Sequence, residues 1–262
     1  MSAVEIKTAA IEFHNVVKRF LRPDRRDESY LAVDRLSFAV ASGEMVAVLG
    51  RTGCGKSTMF NLLAGLIEPT EGEVRVLGHD PFREFDWFRG KIAVVFQNDR
   101  LMPWRSALEN VALGIELLGK HEEERNAIAL GWLERLGLKG HEHDYPHALS
   151  GGMRQRVSIA RAFAVNPEIL LCDEPFSALD ELTGQRLREE YLQLVRENGK
   201  TSIFVTHSIN EALQIGERIM VFHRPARIAF EARVAGGDRE DIRRRVLEAL
   251  NAGHAEAKGK AA

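Results

Sequence analysis

The run Gly50-Arg51-Thr52-Gly53-Cys54-Gly55-Lys56-Ser57-Thr58 combines three glycines with a lysine and two hydroxyls. Its pattern, G-x-x-x-x-G-K-S, suits a phosphate chain. The glycines let backbone N–H groups turn inward around an anion, Lys56 supplies a point charge for the β- and γ-phosphates, and the Ser57 hydroxyl can ligate Mg²⁺. A second chemical group closes the apolar run Ile169-Leu170-Leu171-Cys172, where Asp173 and Glu174 follow each other. Consecutive strand residues point to opposite sides, so the two carboxylates divide the work. Asp173 is the candidate for holding Mg²⁺ through its water shell, and Glu174 for polarising an attacking water as general base. His207, after Thr201-Ser202-Ile203-Phe204-Val205-Thr206, stands where a third strand ends. In a sheet that already carries a lysine and two carboxylates at strand ends, it reads as part of the same chemistry.

The elements that position these groups are legible around them. Met45 to Leu49 is an apolar strand, and Phe60, Leu62, Leu63 and Leu66 continue as a helix, so the phosphate loop sits at a strand-to-helix turn. Ile92 to Phe96 reads as a central strand buried on both faces, ending at Gln97. Gln97 is either a ligand-reaching amide in the crevice beyond the strands or a plain strand terminus. Residues 11–20 and 31–40 alternate apolar with polar residues and predict an antiparallel, half-exposed sheet; 72–83 looks like a hairpin. The charged stretch 21–30 between the first two reads as a solvated loop flanked by Phe20 and Tyr30, either of which offers a flat face to an adenine ring.

Residues 98–149 change character. Ser106-x-x-Glu109 is a capping box ahead of Leu108, Val111, Ala112, Ile115 and Leu118, and a second helix carries Ile128, Trp132 and Leu136 until Gly137. This predicts an inserted helical subdomain. Ahead of it, Leu101-Met102-Pro103-Trp104 puts large apolar residues in a loop, as a contact surface or folded onto its own helices. His141 to Asp144, with His147, reads as a polar surface loop rather than a metal site because no cysteines accompany its imidazoles. Ser150-Gly151-Gly152 then opens a helix with Met153, Val157, Ala160 and Ala164 on one face. It is a helix cap or a second anion site. One nucleotide has one terminal phosphate, so a second site either binds something else or reaches over the nucleotide from another molecule. Asp180 is placed to cap the helix from Glu181 to Val195.

Composition bounds the rest. The 262 residues carry 36 Lys plus Arg against 38 Asp plus Glu, which argues against a nucleic-acid surface. No run of about 18 apolar residues occurs, and the first ten lack a leader's apolar core, so neither membrane spanning nor export is expected. Cys54 and Cys172 read as small buried residues of a reducing compartment rather than a disulfide.

Taken in order, GRTGCGKST, Gln97, LSGGMRQR, ILLCDEP, SALD and VTH resemble the nucleotide-binding subunit of an ATP-binding cassette (ABC) transporter, over about residues 11–230. A P-loop kinase or GTPase would share the first loop but not LSGG followed by ILLCDEP. The resemblance implies an α/β, RecA-like P-loop NTPase fold: a mostly parallel core sheet with an antiparallel β subdomain and an inserted helical subdomain. It forms a single cassette, with 1–97 and 151–235 as nucleotide-binding core, 98–150 helical, and 236–262 a C-terminal helix and disordered tail. It implies ATP and Mg²⁺, bound by residues 50–58, with Ser57 and Gln97 attending the metal, Asp173 ordering its water, Glu174 activating the nucleophile and His207 bonding the γ-phosphate. It further implies a head-to-tail homodimer in which each ATP meets the other copy's Ser150, Gly151 and Gly152, with Asp180 linking the two sites and Phe20 stacking on adenine. Membrane permease subunits and an extracytoplasmic solute-binding protein are the implied partners, and the cytoplasmic face of the inner membrane the implied location. FQNDRLMPWRSALENV and YPHALSGGMRQRV, with Met153, resemble importers of the nitrate, sulfonate and taurine group. A non-transport ABC ATPase of repair or translation is the alternative; such proteins usually carry two cassettes or large insertions.

Overall fold

The computed structural model describes residues 8–21 and 28–259, the last six as backbone only. Most of the first ten residues, read above for a leader, and most of the loop at 21–30 therefore lie outside the described residues. Contacts divide the chain into two compact units, Met1–Trp87 with Ile203–Ala262, and Phe88–Ser202.

The first unit holds two sheets. In the smaller, β1 (Ala9–Leu21) lies between β2 (Ser29–Ala41) and β4 (Glu71–Val76), all antiparallel. Alternation buries Ile11, Phe13, Leu36 and Val40 on one face, where the Phe13 and Phe38 rings stack with centroids 4.6 Å apart. The hairpin expected over 72–83 does not form. β4 pairs with β1 instead, leaving a single bridge between Val76 and His79. Asp80 explains the difference: its Oδ1 accepts from the N–H groups of Phe82 (3.0 Å) and Arg83 (3.1 Å), an Asx turn that bends the chain away. Gly72 is required, because at φ 77° it runs so close to β1 that a Cβ would lie 2.4 Å from the carbonyl oxygens of His14 and Asn15.

The larger sheet contributes the strand order β7-β3-β8-β9 to this unit, with β3 (Met45–Gly50), β7 (Thr201–Thr206, which begins in the second unit), β8 (Arg218–His223) and β9 (Arg227–Arg233). β3 and β8 are parallel and wholly buried. α1 (Lys56–Leu63) leaves β3, and α6 (Ile209–Ile215) and α7 (Arg239–Gly259) join Ala47, Leu49, Ile219 and Val221 in one apolar cluster through Ala212, Ile242 and Val246. The tail expected to be disordered is helical as far as Gly259. Ala252, Ala255 and Ala257 favour the helix and extend one already anchored by Ile242 and Val246. A buried ion pair fixes the entrance to β3. Arg218 Nε lies 2.9 Å from Glu44 Oε1, while its Nη1 reaches Glu231 on β9 at 2.8 Å.

The second unit pairs β5 (Ile92–Val95) with β6 (Ile169–Asp173) in parallel and surrounds them with α2 (Ala107–Leu117), α3 (Glu122–Arg135), α4 (Gly151–Ala164) and α5 (Glu181–Glu197). β5 is not the central strand its apolar run suggested. It ends the strand order, and Ile92 and Val94 are only half-buried. On α3 the buried side chains are Ala129 and Leu133, one position beyond Ile128 and Trp132. Trp132 instead lies over the Phe163 ring, with centroids 5.3 Å apart.

Candidate functional site

The phosphate loop lies in the first unit. Gly53 (φ 78°) and Gly55 (φ 105°) adopt backbone that other residues resist, and Gly55 is the residue from which α1 starts. A Cβ on Gly55 would come within 2.7 Å of both the Ala32 carbonyl oxygen and Ala226 Cβ. The loop is therefore seated against β2 and the turn after β8. The Lys56 ammonium is buried and donates to the carbonyl of Gly50 at 2.5 Å and of Arg51 at 3.3 Å, inside the ring of backbone the glycines make. Ser57 is exposed in the first turn of α1, and Arg51 and Thr52 face solvent. Cys54 packs beneath, where burial pushes its thiol up and nearby Lys56 partly offsets the shift. Both cysteines are free.

His207 is exposed at the end of β7, the neighbour of β3. Its two chain neighbours are anchored by Glu211, a residue with no obvious role in the sequence. The buried Thr206 hydroxyl donates to Glu211 Oε2 at 2.5 Å, the Ser208 N–H donates to Thr206 Oγ1 at 3.0 Å, and Ser208 Oγ accepts from Glu211 N. Phe20 and Tyr30 form a cross-strand pair, stacked with centroids 5.6 Å apart.

The remaining predicted residues lie in the second unit. Asp173 ends β6, and Glu174 immediately adopts φ 47°, a left-handed backbone that costs a non-glycine residue about 1 kcal/mol or more. Ser177 holds this corner, donating to the Glu174 carbonyl from its N–H (3.2 Å) and its hydroxyl (3.0 Å). Asp180 accepts from Thr183 N at 3.0 Å and caps α5, an interaction that holds its carboxyl below the usual range.

Ser150 caps α4 by accepting from Met153 N. A Cβ on Gly152 would lie 2.9 Å from Thr183 Cγ2, so α4 and α5 begin side by side; at Gly151 the nearest atom would be Arg154 Nη2, at 3.8 Å. Gln97 is exposed beyond β5, and α4 grips the loop that follows it. Arg154 Nε pairs with Asp99 at 3.0 Å, and Arg161 donates to the carbonyls of Asp99 (2.7 Å) and Arg100 (2.8 Å). Sequence reasoning also passed over Asn110. Wholly buried, it accepts from Met102 N and donates to the carbonyls of Met102, Arg105 and Ser106. That holds the 101–106 loop with Leu101 and Met102 half-buried and Trp104 70% exposed, beside a groove of about 800 Å³.

Among the described residues no cluster of three or more His, Cys, Asp or Glu side chains could hold a metal unaided. The exposed Ser57 hydroxyl beside the phosphate loop nonetheless suits Mg²⁺, which takes one or two protein oxygens and completes its shell with water and phosphate.

Residues 33–177 match the family model described as ABC transporter. The chain is 46% identical over 196 residues to the glycine betaine/proline betaine transport system ATP-binding protein ProV of Escherichia coli K12, a match covering 73% of this chain. It spans about half the length of that relative (49%). It is 45% identical over 190 residues to the taurine import ATP-binding protein TauB of Yersinia pestis bv. Antiqua, covering 72% of this chain and 73% of the relative. Among solved structures, a dimeric post-hydrolysis ATP-binding cassette bound to ADP and Pi superposes with TM-score 0.76 at 36% identity, over 87% of this chain and all of that one.

Proposed function

Because the chain belongs to the ABC transporter family, we propose that it is the ATP-hydrolysing subunit of an importer, docked through permease subunits on the cytoplasmic face of the membrane. Lys56 and the N–H groups of residues 50–58 bind the β- and γ-phosphates. Ser57, Gln97 and Asp173 attend Mg²⁺, which when bound neutralises charge on the phosphate oxygens. Glu174 takes the proton of the attacking water, and His207 donates to the γ-phosphate. The adenine stacks on the Phe20–Tyr30 pair, with Phe20 the family's position.

Supporting the dimer, α4 begins with a capped glycine pair of which Gly151 is open, although the chain already holds a complete phosphate loop elsewhere. Ser150, Gly151 and Gly152 of one copy close over the nucleotide of the other, and Asp180 links the two sites. A two-fold pairing then makes two sites from one surface. ATP favours the closed dimer and ADP does not, because a ligand shifts an equilibrium only by its differential affinity for the two states.

The observation that carries this reading is the buried Lys56 within a glycine loop at the end of β3. Glu174→Gln tests it: turnover is expected to fall roughly 10²- to 10⁴-fold with ATP affinity intact, and ATP should then drive the full chain to a dimer. Wild-type turnover in that variant, or a monomer at saturating ATP even with permease present, overturns it. The solute belongs to the nitrate, sulfonate and taurine class. ATP-dependent uptake of taurine, in preference to glycine betaine, by the chain with its own permease and solute-binding protein checks that assignment.

A further inference from the structure

Among the described residues Tyr191 is the largest fully buried side chain, and the chemistry described above leaves it without a task. Its hydroxyl lies 3.1 Å from Cys172 Sγ on β6 and 2.6 Å from Ser202 Oγ at the start of β7. Its ring meets Phe176 edge-on, with centroids 6.0 Å apart at 71°, and Phe163 of α4 at 6.3 Å and 75°. Cys172 and Phe176 stand two residues before and two residues after Glu174. One side chain therefore holds both flanks of the residue whose backbone is left-handed. A non-glycine residue keeps such a conformation only where its surroundings over-determine it. Ser177 fixes the carbonyl of Glu174 and Tyr191 fixes the two arms of the corner. Through Phe163 the same ring also touches the helix that begins at Gly151.

We propose that Tyr191 is a positioning residue for hydrolysis: it sets the Glu174 corner from behind and ties it to the helix carrying Ser150, Gly151 and Gly152. The inference rests on the reading of Glu174 as general base. A core tyrosine with no such task would affect stability alone. Positioning should instead appear in kcat, because misplacement of a reacting group by about 1 Å can cost 10²-fold.

The test is steady-state ATP turnover by the full chain carrying Tyr191→Phe, which keeps the ring and removes the bridge between Cys172 and Ser202. The expected result is a kcat lower by about tenfold with KM within twofold. A Tyr191→Phe/Cys172→Ala/Ser202→Ala variant removes the polar groups left unpaired, so it should recover melting temperature while kcat stays low. Wild-type kcat in Tyr191→Phe, a KM that rises as kcat falls, or recovery of kcat together with melting temperature in the triple variant each overturns the proposal. In a Glu174→Gln background, Tyr191→Phe should lower the residual rate no further; an undiminished second loss also overturns it. If Glu174→Gln alone turns over at the wild-type rate, the base assignment has failed, and that outcome does not depend on Tyr191.

Discussion

Arg154 and Asp99 pair at 3.0 Å and thereby join the first turn of α4 to the loop that follows Gln97. The same guanidinium donates to the Leu149 carbonyl at 2.7 Å. Movement of the loop must therefore be felt at Ser150. The pair is about one-third exposed on each side, so it adds at most about 1 kcal/mol to stability. Asp99→Asn should leave the melting temperature within a few degrees and ATP affinity unchanged, while reducing the stimulation of turnover by permease. Comparing ATPase rates with and without reconstituted permease measures this; full stimulation would show that the link transmits nothing.

Glu211 bears on His207 through Thr206 and Ser208. Glu211→Ala removes the acceptor of the buried Thr206 hydroxyl and frees the bend that carries the imidazole. Turnover should drop roughly tenfold, in keeping with the cost of misplacing a reacting group. ATP binding, read by titration with a fluorescent nucleotide, should change little.

Glu44 and Arg218 are both almost fully buried. Glu44→Ala leaves a charge in the interior with Glu231 as its remaining carboxylate, at a cost of about 3 kcal/mol. Chemical denaturation should show a lower midpoint. Replacing both by methionine should recover most of the loss, because the desolvation penalty disappears with the charges.

Burial pushes the Cys172 thiol up to about 12 from an ordinary 9.0. A raised value means that the folded state holds its proton more tightly than the unfolded chain. The associated stability is complete below pH 9.0 and is lost as pH rises from there through about 12. Cys172→Ala should flatten the alkaline limb of a melting-temperature profile. Alkylation of native protein near neutral pH should spare Cys172, since the thiolate is the reactive form.

Much of this was legible because it is local. Ser106 with Glu109, Ser150 and Asp180 act as caps within three residues of their partners, and the phosphate loop announces itself by glycine spacing. What escaped depends on partners distant in sequence. β4 chose β1 over its own continuation, and the run from Ile92 to Phe96 looked central because periodicity cannot report that a strand has a neighbour on one side only. Asn110, Glu211 and Tyr191 are ordinary helix residues until the carbonyls and hydroxyls around them are known. The left-handed backbone of Glu174 has no signature in the letters ILLCDEP.

The adjacent glycines of LSGG have unlike surroundings. At Gly152 the space a methyl group would need is already taken by Thr183, whereas at Gly151 it is open. Alanine at position 152 should injure each copy before it ever meets another. Alanine at 151 should spare the lone molecule and betray itself only when two are brought together. Two identical neighbours in the chain thus separate a defect of folding from a defect of assembly.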